Sequence, residues 1–228
     1  MESTKPKVYV VVPNSGDIIS PMIKPIFDMA TDHRFEVMLC DLVKSNRRGI
    51  HYNKNMTVKD FLETDCEWYV SIDSDQVPLK NPLDLVFSGR EIIGLPTPIT
   101  DSKIVIWNIF MDSKMVPGKY SPLRLDKAML DENAYPDLIE CHGIGGGCVV
   151  VKREVFEKVY PPYLDEVNSD GQMETEHDLE FCRRARAAGY HIFFSPYYRC
   201  EHFKKMPILQ MMDSNNQLFM TGGEGKNG

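Results

Sequence analysis

Two aspartates follow an apolar run in this sequence, and their type and spacing suit metal-assisted chemistry. Residues 68–73 read as a buried strand that ends in Asp73, Ser74 and Asp75. Carboxylates at the C-terminal end of such a strand point into the crevice where α/β sheets bind ligands. Hard oxygen ligands of this kind suit Mg²⁺ or Mn²⁺, which are usually shared with substrate phosphates. Because so short a motif also arises by chance, two turn aspartates are the alternative.

A third carboxylate is placed for acid–base chemistry. Asp178 stands in the first turn of a predicted helix over residues 175–188, which Gly189 ends. Transfer of a group to a hydroxyl needs a base that removes the proton as the oxygen attacks. Asp178 is therefore a candidate catalytic base, and the alternative is an acid that the helix dipole favours at this position.

The first hundred residues supply the elements that would position the aspartate pair. The sequence predicts strands over 7–13, 35–41 and 68–73, helices over 20–32 and 55–64, and a basic loop over 43–53. Strands that alternate with helices are typical of an α/β fold with crossover connections and a mainly parallel sheet.

The second half is less regular and carries a glycine turn. We expect strands over 91–96, 103–111, 190–195 and 198–202, a polar excursion over 112–137, a strand–glycine turn–strand over 138–151, and helices over 154–159 and 175–188. The excursion is long enough to serve as an acceptor loop or lid. We expect one domain over 1–220, with a nucleotide- and metal-binding half to about residue 100, an acceptor half over about 101–205, and a flexible tail over 221–228.

Composition narrows the class of protein. The 228 residues carry 26 basic and 33 acidic side chains, a net charge of −7, which disfavours a general nucleic-acid binder without excluding a local basic groove. The sequence contains no apolar run long enough to span a membrane and no signal peptide. Its six cysteines form no CxxC pair and read as reduced, mostly buried thiols. These features predict a cytoplasmic protein of a bacterium, or of a virus in the host cytoplasm.

Three further segments complete an ordered set of motifs. Lys54 and Asn55 lie about twenty residues before Asp75, and the glycine turn GIGGGC occupies residues 143–148. The sequence HDLEFCRRARAAGY over 177–190 is followed by a strand and then by His202. Across residues 7–203 this order resembles the nucleotide-sugar glycosyltransferases of the GT-A fold, in particular the family 2-like group.

The resemblance implies a fold, a reaction and a set of site residues. The fold would be a single Rossmann-like GT-A domain. The reaction would move a sugar from a nucleoside-diphosphate sugar to a hydroxyl. The configuration at the anomeric carbon would be inverted if Asp178 is the base, and retention of configuration is the open alternative. The implied metal ligands for Mn²⁺ or Mg²⁺ are Asp73, Asp75 and His202. The implied donor-binding residues are Pro13, Asn14, Ser15, Asp41, Arg48, Lys54, Asn55 and Ser74, with Arg47 as a further diphosphate contact. The implied acceptor-binding residues are Trp107, Gly145, Gly146, Gly147, Glu176 and His177.

The partners follow from the same resemblance. UDP-sugars are the default donors, and the acceptor is a glycan, a lipid-linked glycan, a small molecule or another hydroxyl, with nucleic acid disfavoured but open. One position departs from the family pattern, because His177 stands where Glu normally precedes the catalytic Asp, with Glu176 one residue earlier. A histidine here can titrate near neutral pH and tune Asp178.

Three other functions compete with this interpretation. A sugar nucleotidyltransferase normally carries a basic, Gly-rich loop after the first strand, and residues 13–17 contain no basic side chain. A non-catalytic nucleotide- or sugar-binding module is disfavoured by the intact acids, although His177 keeps that possibility open. A zinc site made of Cys141, His142, Cys148 and His202 fits no ordinary ligand spacing.

Overall fold

The structure is a computed structural model that describes residues 5–13, 18–40, 50–101, 104–116, 118–123, 137–167, 170 and 173–203. The strands within these ranges are β1 (Lys7–Val11), β2 (Glu36–Leu39), β3 (Trp68–Ile72), β4 (Gln76–Pro78), β5 (Ile92–Gly94), β6 (Pro98–Asp101), β7 (Ile104–Trp107), β8 (Ile109–Asp112), β9 (Tyr120–Pro122), β10 (Ile139–Cys141), β11 (Gly143–Ile144), β12 (Cys148–Lys152), β13 (Glu166–Val167), β14 (Met173–Thr175), β15 (Ile192–Phe194) and β16 (Cys200–His202). The helices are α1 (Ile23–Ala30), α2 (Ile50–Leu62), α3 (Arg153–Lys158) and α4 (His177–Ala187), with short 3₁₀ turns at Ser20–Met22 and Pro82–Ser88.

A seven-stranded mixed sheet organises the chain. Its strand order is β10-β15-β5-β12-β3-β1-β2. Strands β2, β1, β3, β5 and β15 run in one direction, and β12 and β10 run against them. The predicted α/β fold, with a mixed and mainly parallel sheet between helices, is confirmed.

Alternate residues of the central strands supply two separate cores. On β1, Val8 and Val10 belong to one buried cluster, and Tyr9 and Val11 belong to the other. Successive side chains of a strand point to opposite faces, so a strand that is buried throughout feeds both layers. Helices α2, α3 and α4 contribute to the Tyr9 side, whereas α1 and the turn at Pro82–Ser88 contribute to the Val8 side.

Helix α2 begins earlier than the sequence predicts. The expected loop over 43–53 is wrong for its last four residues, because the helix starts at Ile50. Lys54 and Thr57 are almost fully buried on this helix, and the Thr57 hydroxyl lies 2.6 Å from that of Tyr69. A helix that turns polar side chains inward lacks the apolar periodicity from which its start would be predicted.

Arg153, the first residue of α3, holds the C-terminal end of α2. Its guanidinium donates hydrogen bonds to the backbone carbonyls of Phe61, Leu62, Thr64 and Cys66. The Phe61 carbonyl also accepts from the Thr64 amide and hydroxyl. The last carbonyls of a helix lack intrahelical partners, so Arg153 supplies donors at a helix end that needs them.

Replacing Arg153 with methionine is expected to lower the free energy of unfolding by about 2 kcal/mol, because several partly buried carbonyls lose their donor. The neighbouring Lys152→Met is the matched control. Lys152 makes a single partly exposed contact with Glu154, which is expected to contribute less than about 1 kcal/mol. Urea denaturation of both variants measures the difference, and equal midpoints would contradict this role for Arg153.

The remaining predicted elements agree in position and differ at their edges. The predicted strand over 103–111 is interrupted at Asn108, whose side chain accepts a hydrogen bond from the Thr97 backbone and donates one to Gly145. The polar excursion contains β9, and its residues 124–136 lie outside the described part of the chain, as does the predicted tail. The six cysteines, all within the described ranges, form no disulfide, and five of them are buried. Within the described ranges, none of the helices is long and apolar enough to cross a bilayer.

Candidate active site

The aspartate pair lies in a tight turn at the C-terminal end of β3. The Asp73 amide donates to the Gly147 carbonyl (2.7 Å), and the Gln76 amide donates back to the Asp73 carbonyl (3.0 Å). Strand β12 runs antiparallel to β3 and pairs Cys148 with Ile72. The glycine turn that precedes β12 is therefore held directly beside Asp73, although more than 70 residues separate them in the sequence.

His202 reaches the same place from the end of the described chain. Strand β16 pairs with β4, which places His202 opposite Gln76. The Phe203 amide donates a hydrogen bond to the Asp75 carbonyl (2.8 Å). The His202 ring places Nδ1 2.9 Å from the Pro98 carbonyl and Nε2 3.3 Å from Asp75 Oδ2. A carbonyl only accepts, so Nδ1 carries the hydrogen, and a neutral ring then turns the lone pair of Nε2 toward a carboxylate. That contact is attractive only with a proton or a cation between the two atoms.

Asp75 and His202 are the two side chains of this turn that could hold a divalent cation. A backbone carbonyl fixes the tautomer that leaves Nε2 free to bind a metal, which is the usual outer-shell arrangement of a histidine ligand. The described residues contain no group of three His, Cys, Asp or Glu side chains arranged to hold an ion. Two protein ligands suit Mg²⁺ or Mn²⁺, because such ions commonly complete their coordination with water and phosphate oxygens.

Asp73 differs from Asp75 in its environment. Burial raises the pKa of Asp73 to about 6; Lys54 opposes this rise, and the carboxylates of Asp178 and Asp75 add to it. Asp75 has a side chain that is 46% exposed, so it is the more open of the two carboxylates to a ligand from solvent. The alternative zinc set is not assembled, because β15, β5 and the neighbouring backbone separate Cys141 on β10 from Cys148 on β12.

Asp178 forms a buried ion pair with Lys54. The Lys54 ammonium, which is 2% exposed, donates to Asp178 Oδ1 (3.0 Å) and to the Gly146 carbonyl (3.4 Å). The Gly146 amide donates to Asp178 Oδ2 (2.7 Å). These bonds join α2, the glycine turn and the first turn of α4, so the candidate base is fixed by three elements.

The ion pair keeps both partners charged. Burial favours the neutral acid at Asp178, but Lys54, His177 and the Gly146 amide outweigh it and lower the pKa of this carboxyl below its ordinary value. Burial would likewise lower the pKa of Lys54, but the carboxylates of Asp178 and Asp73 outweigh it and raise that pKa. Asp178 is therefore a carboxylate at neutral pH, as a proton acceptor must be.

The glycine turn has no room for side chains. A Cβ on Gly147 would overlap the Gln76 amide, whose oxygen accepts from the Thr97 hydroxyl (2.8 Å). A Cβ on Gly146 would strike Asp178 and would lie 2.5 Å from Lys54 Nζ. Glycine is thus required here for a close approach of backbone and side chains.

Gly146→Ala is expected to lower the free energy of unfolding by about 2–3 kcal/mol, because the new methyl group pushes the buried ion pair apart. In a background where Lys54 and Asp178 are both truncated to alanine, the same change is expected to cost much less, since its obstacle is gone. Thermal unfolding of the four proteins in this cycle measures the coupling. Additive effects would show that the methyl group does not act through the ion pair.

Two residues of this region are missing from the sequence-based set. Asp165 Oδ2 lies 2.9 Å from His51 Nδ1, and Asp165 Oδ1 lies 3.3 Å from His177 Nδ1. His177 Nε2 lies 3.3 Å from Asp178 Oδ1. Among the described residues, Asp165 Oδ1 and His177 Nε2 are buried atoms with no hydrogen-bond partner. Such atoms cost about 1–3 kcal/mol each, and they often mark a functional site.

The other predicted site residues lie near the aspartate turn or α4, elsewhere in the fold, or outside the described ranges. Ser74 lies in the aspartate turn, Trp107 pairs with Pro98 beside His202, and Glu176 is the exposed residue before α4. Pro13 follows β1. Asn55 is committed to the backbone of Tyr163, with which it exchanges two hydrogen bonds of 2.7 and 3.0 Å. Asn14, Ser15, Asp41, Arg47 and Arg48 lie outside the described residues.

The fold has solved relatives, although no protein-family model and no curated protein matches the sequence. A197 from STIV is similar with a TM-score of 0.56 at 16% identity, covering 88% of this chain and 86% of that one. GalNAc-T7, solved with UDP, GalNAc and Mn²⁺, is similar with a TM-score of 0.51 at 11% identity, covering 89% of this chain and 43% of its own. UDP-glucose pyrophosphorylase, solved with UDP-glucose, has a TM-score of 0.51 at 7% identity, covering 96% and 100%. At these identities the similarity establishes the fold alone, which is GT-A-like.

Proposed function

We propose that this protein transfers a sugar from a nucleoside-diphosphate sugar to a hydroxyl acceptor in a metal-dependent reaction. One observation supports this function most strongly. Side chains from distant segments of the chain converge at the C-terminal end of β3, with Asp75 against His202 and Lys54 against Asp178. The resulting site has an open carboxylate–imidazole pair on one side and, on the other, a partly buried, ionised carboxylate whose lysine partner is fully buried.

The donor side of the proposed site is the aspartate turn. Asp75 and His202 would hold Mn²⁺ or Mg²⁺, and Asp73 would contact the donor ribose. A bound cation would neutralise the charge that develops on the departing nucleoside diphosphate. UDP is the default nucleotide, because GalNAc-T7 was solved with UDP and Mn²⁺ and the pyrophosphorylase with UDP-glucose.

The acceptor side of the proposed site is the first turn of α4. Asp178 would take the proton of the acceptor hydroxyl as its oxygen forms a bond to the anomeric carbon and the bond to the diphosphate breaks. Attack from the face opposite the diphosphate inverts the configuration at that carbon. The Lys54 ammonium is engaged with Asp178, so we assign it to positioning the base rather than to holding the diphosphate.

A thermal-shift panel tests the donor half of this function. UDP, GDP, CDP, dTDP and ADP are each added with Mn²⁺ and, separately, with EDTA. Ligand that binds only the folded state raises its stability by about 2.7 kcal/mol at one hundred times Kd. We expect one nucleotide to raise the melting temperature with Mn²⁺ and not with EDTA. No shift with any of the five would contradict the proposal.

Sugar nucleotidyl transfer is the second candidate, because the similarity to UDP-glucose pyrophosphorylase spans 96% of this chain and the whole of that one. The two reactions release different products. A nucleotidyltransferase releases pyrophosphate from a nucleoside triphosphate and a sugar phosphate, whereas a glycosyltransferase releases a nucleoside diphosphate. We expect no pyrophosphate from UTP and glucose 1-phosphate.

A further inference from the structure

A row of four ionisable side chains leads away from Asp178. Asp165 lies between two imidazoles, with one carboxylate oxygen 2.9 Å from His51 Nδ1 and the other 3.3 Å from His177 Nδ1. The far nitrogen of the His177 ring then lies 3.3 Å from Asp178 Oδ1. Each step is within ion-pairing distance, and the residues come from α2, from the segment before β13 and from α4.

The row reaches the surface at His51. The Asp178, His177 and Asp165 side chains are 18%, 14% and 22% exposed, and that of His51 is 41% exposed. Lys54, on the other side of Asp178, is sealed at 2%. A proton that leaves Asp178 through the protein can therefore reach solvent by way of His51, whereas Lys54 gives it no access to solvent.

Two atoms of the row are free to gain a bond. His177 Nε2 and Asp165 Oδ1 are buried and lack a hydrogen-bond partner among the described residues. If His177 carries its hydrogen on Nδ1, facing Asp165, the lone pair of Nε2 faces Asp178. A carboxylate beside an imidazole selects this tautomer and stabilises the imidazolium that forms on protonation.

Asp178 is a weak base in this environment and does not retain a proton well. Oδ1 accepts from the Lys54 ammonium and Oδ2 accepts from the Gly146 amide, and both bonds favour the charged carboxylate. An imidazole is intrinsically the stronger base of the two groups. A proton received by Asp178 therefore has a thermodynamic reason to move to the adjacent ring.

We propose that His177 is the terminal proton acceptor of the site, oriented by Asp165 and connected to solvent by His51. This rests on the proposed glycosyl transfer. The acceptor oxygen bonds to the anomeric carbon, the bond from that carbon to the diphosphate breaks, and the hydroxyl proton passes through Asp178 to His177 Nε2. The imidazolium then loses its Nδ1 proton to solvent by way of Asp165 and His51, which leaves the hydrogen on Nε2. Exchange of that hydrogen back to Nδ1, through solvent or by a turn of the ring, completes the cycle.

The charged and polar groups that face His177 come from three elements. Helix α2 contributes His51 and Lys54, the segment before β13 contributes Asp165 and the Tyr163 ring at 6.2 Å, and α4 itself contributes Asp178. Asp165 is the acceptor that faces Nδ1 of the ring, so its removal takes away the contact that favours a hydrogen on Nδ1.

Imidazole nitrogen NMR of the ¹⁵N-histidine protein tests the orientation without any substrate. His177→Gln and His51→Gln assign the resonances. We expect neutral His177 to carry its hydrogen on Nδ1, and Asp165→Asn to move part of the population to the tautomer with hydrogen on Nε2. The matched control is Glu140→Gln, which removes the acid from the surface His191–Glu140 pair (2.7 Å) and is expected to leave His177 unchanged. A His177 ring with its hydrogen on Nε2, or one that is insensitive to Asp165→Asn, would overturn the proposal.

Hydrolysis of the nucleotide sugar, with water as the acceptor, releases the nucleoside diphosphate and tests the relay in turnover. His177→Gln is expected to lower kcat about a hundredfold with KM changed less than twofold, because the terminal proton acceptor is lost. Asp165→Asn is expected to lower kcat about tenfold with KM again changed less than twofold, because the ring loses the carboxylate that orients it. Turnover at the native kcat in both variants would overturn the relay and leave glycosyl transfer standing. No diphosphate release from any nucleotide sugar, together with the expected NMR result, would overturn glycosyl transfer and with it the role of the relay.

Discussion

Replacing Asp178 with asparagine is expected to abolish sugar transfer and to lower the free energy of unfolding by about 3 kcal/mol. Transfer fails because an amide cannot take the acceptor proton. Stability falls because the Lys54 ammonium, 2% exposed, loses its counter-ion while it stays buried. Release of the nucleoside diphosphate and urea denaturation measure the two effects, and donor affinity is expected to change little because Asp178 lies on the acceptor side.

A double variant separates catalysis from folding. Lys54→Met with Asp178→Asn removes both charges, and neutral side chains of similar size are expected to recover most of the lost stability. Transfer is expected to remain absent in this stable protein. Transfer that survives in either variant would show that Asp178 is not the base, whatever its effect on folding.

Asp75→Ala is expected to weaken nucleotide binding in Mn²⁺ by at least about tenfold and to make the remaining binding insensitive to EDTA. The change removes one of the two side chains that would hold the cation. Titration of the nucleotide with and without chelator, followed by melting temperature, measures the effect.

Glu201→Gln is the matched control for Asp75→Ala. Glu201 is the exposed acid next to His202 on β16, and its loss changes the net charge equally without touching the cation site. We expect it to retain full metal dependence. Unchanged metal-dependent binding in Asp75→Ala would show that the aspartate turn does not hold the cation.

The fold was largely predictable, because its main elements follow from short-range patterns. The apolar runs that become β1, β3 and β12 are buried almost throughout, and a run of that kind identifies a central strand without knowledge of its neighbours. Helix α2 shows where such patterns fail. Its buried face carries Lys54 and Thr57, so the sequence lacks the apolar periodicity that would mark the start of this helix.

The site was predictable only in part, because its pairs are formed by distant residues. The aspartate turn, His202 and Asp178 follow from motif order, and the structure brings Asp75 against His202. The partnership of Lys54 with Asp178 spans 124 positions, and no local pattern indicates it. Asp165 and His51 were missed for the same reason. The sequence offered one clue to them, which was His177 in place of a glutamate. An imidazole at that position needs a polar partner, and a partner distant in the sequence cannot be identified from local patterns.

The most direct test of the account is a product analysis with the nucleotide sugar whose diphosphate gives the largest thermal shift. The protein is incubated with that donor and Mg²⁺, with water as the acceptor of the sugar, and the phosphorus species are followed by ³¹P NMR beside the Lys54→Met/Asp178→Asn variant. The account predicts release of the nucleoside diphosphate by the native protein and none by the variant. Pyrophosphate formed from UTP and glucose 1-phosphate, with no diphosphate released from any nucleotide sugar, would contradict it and would identify a nucleotidyltransferase.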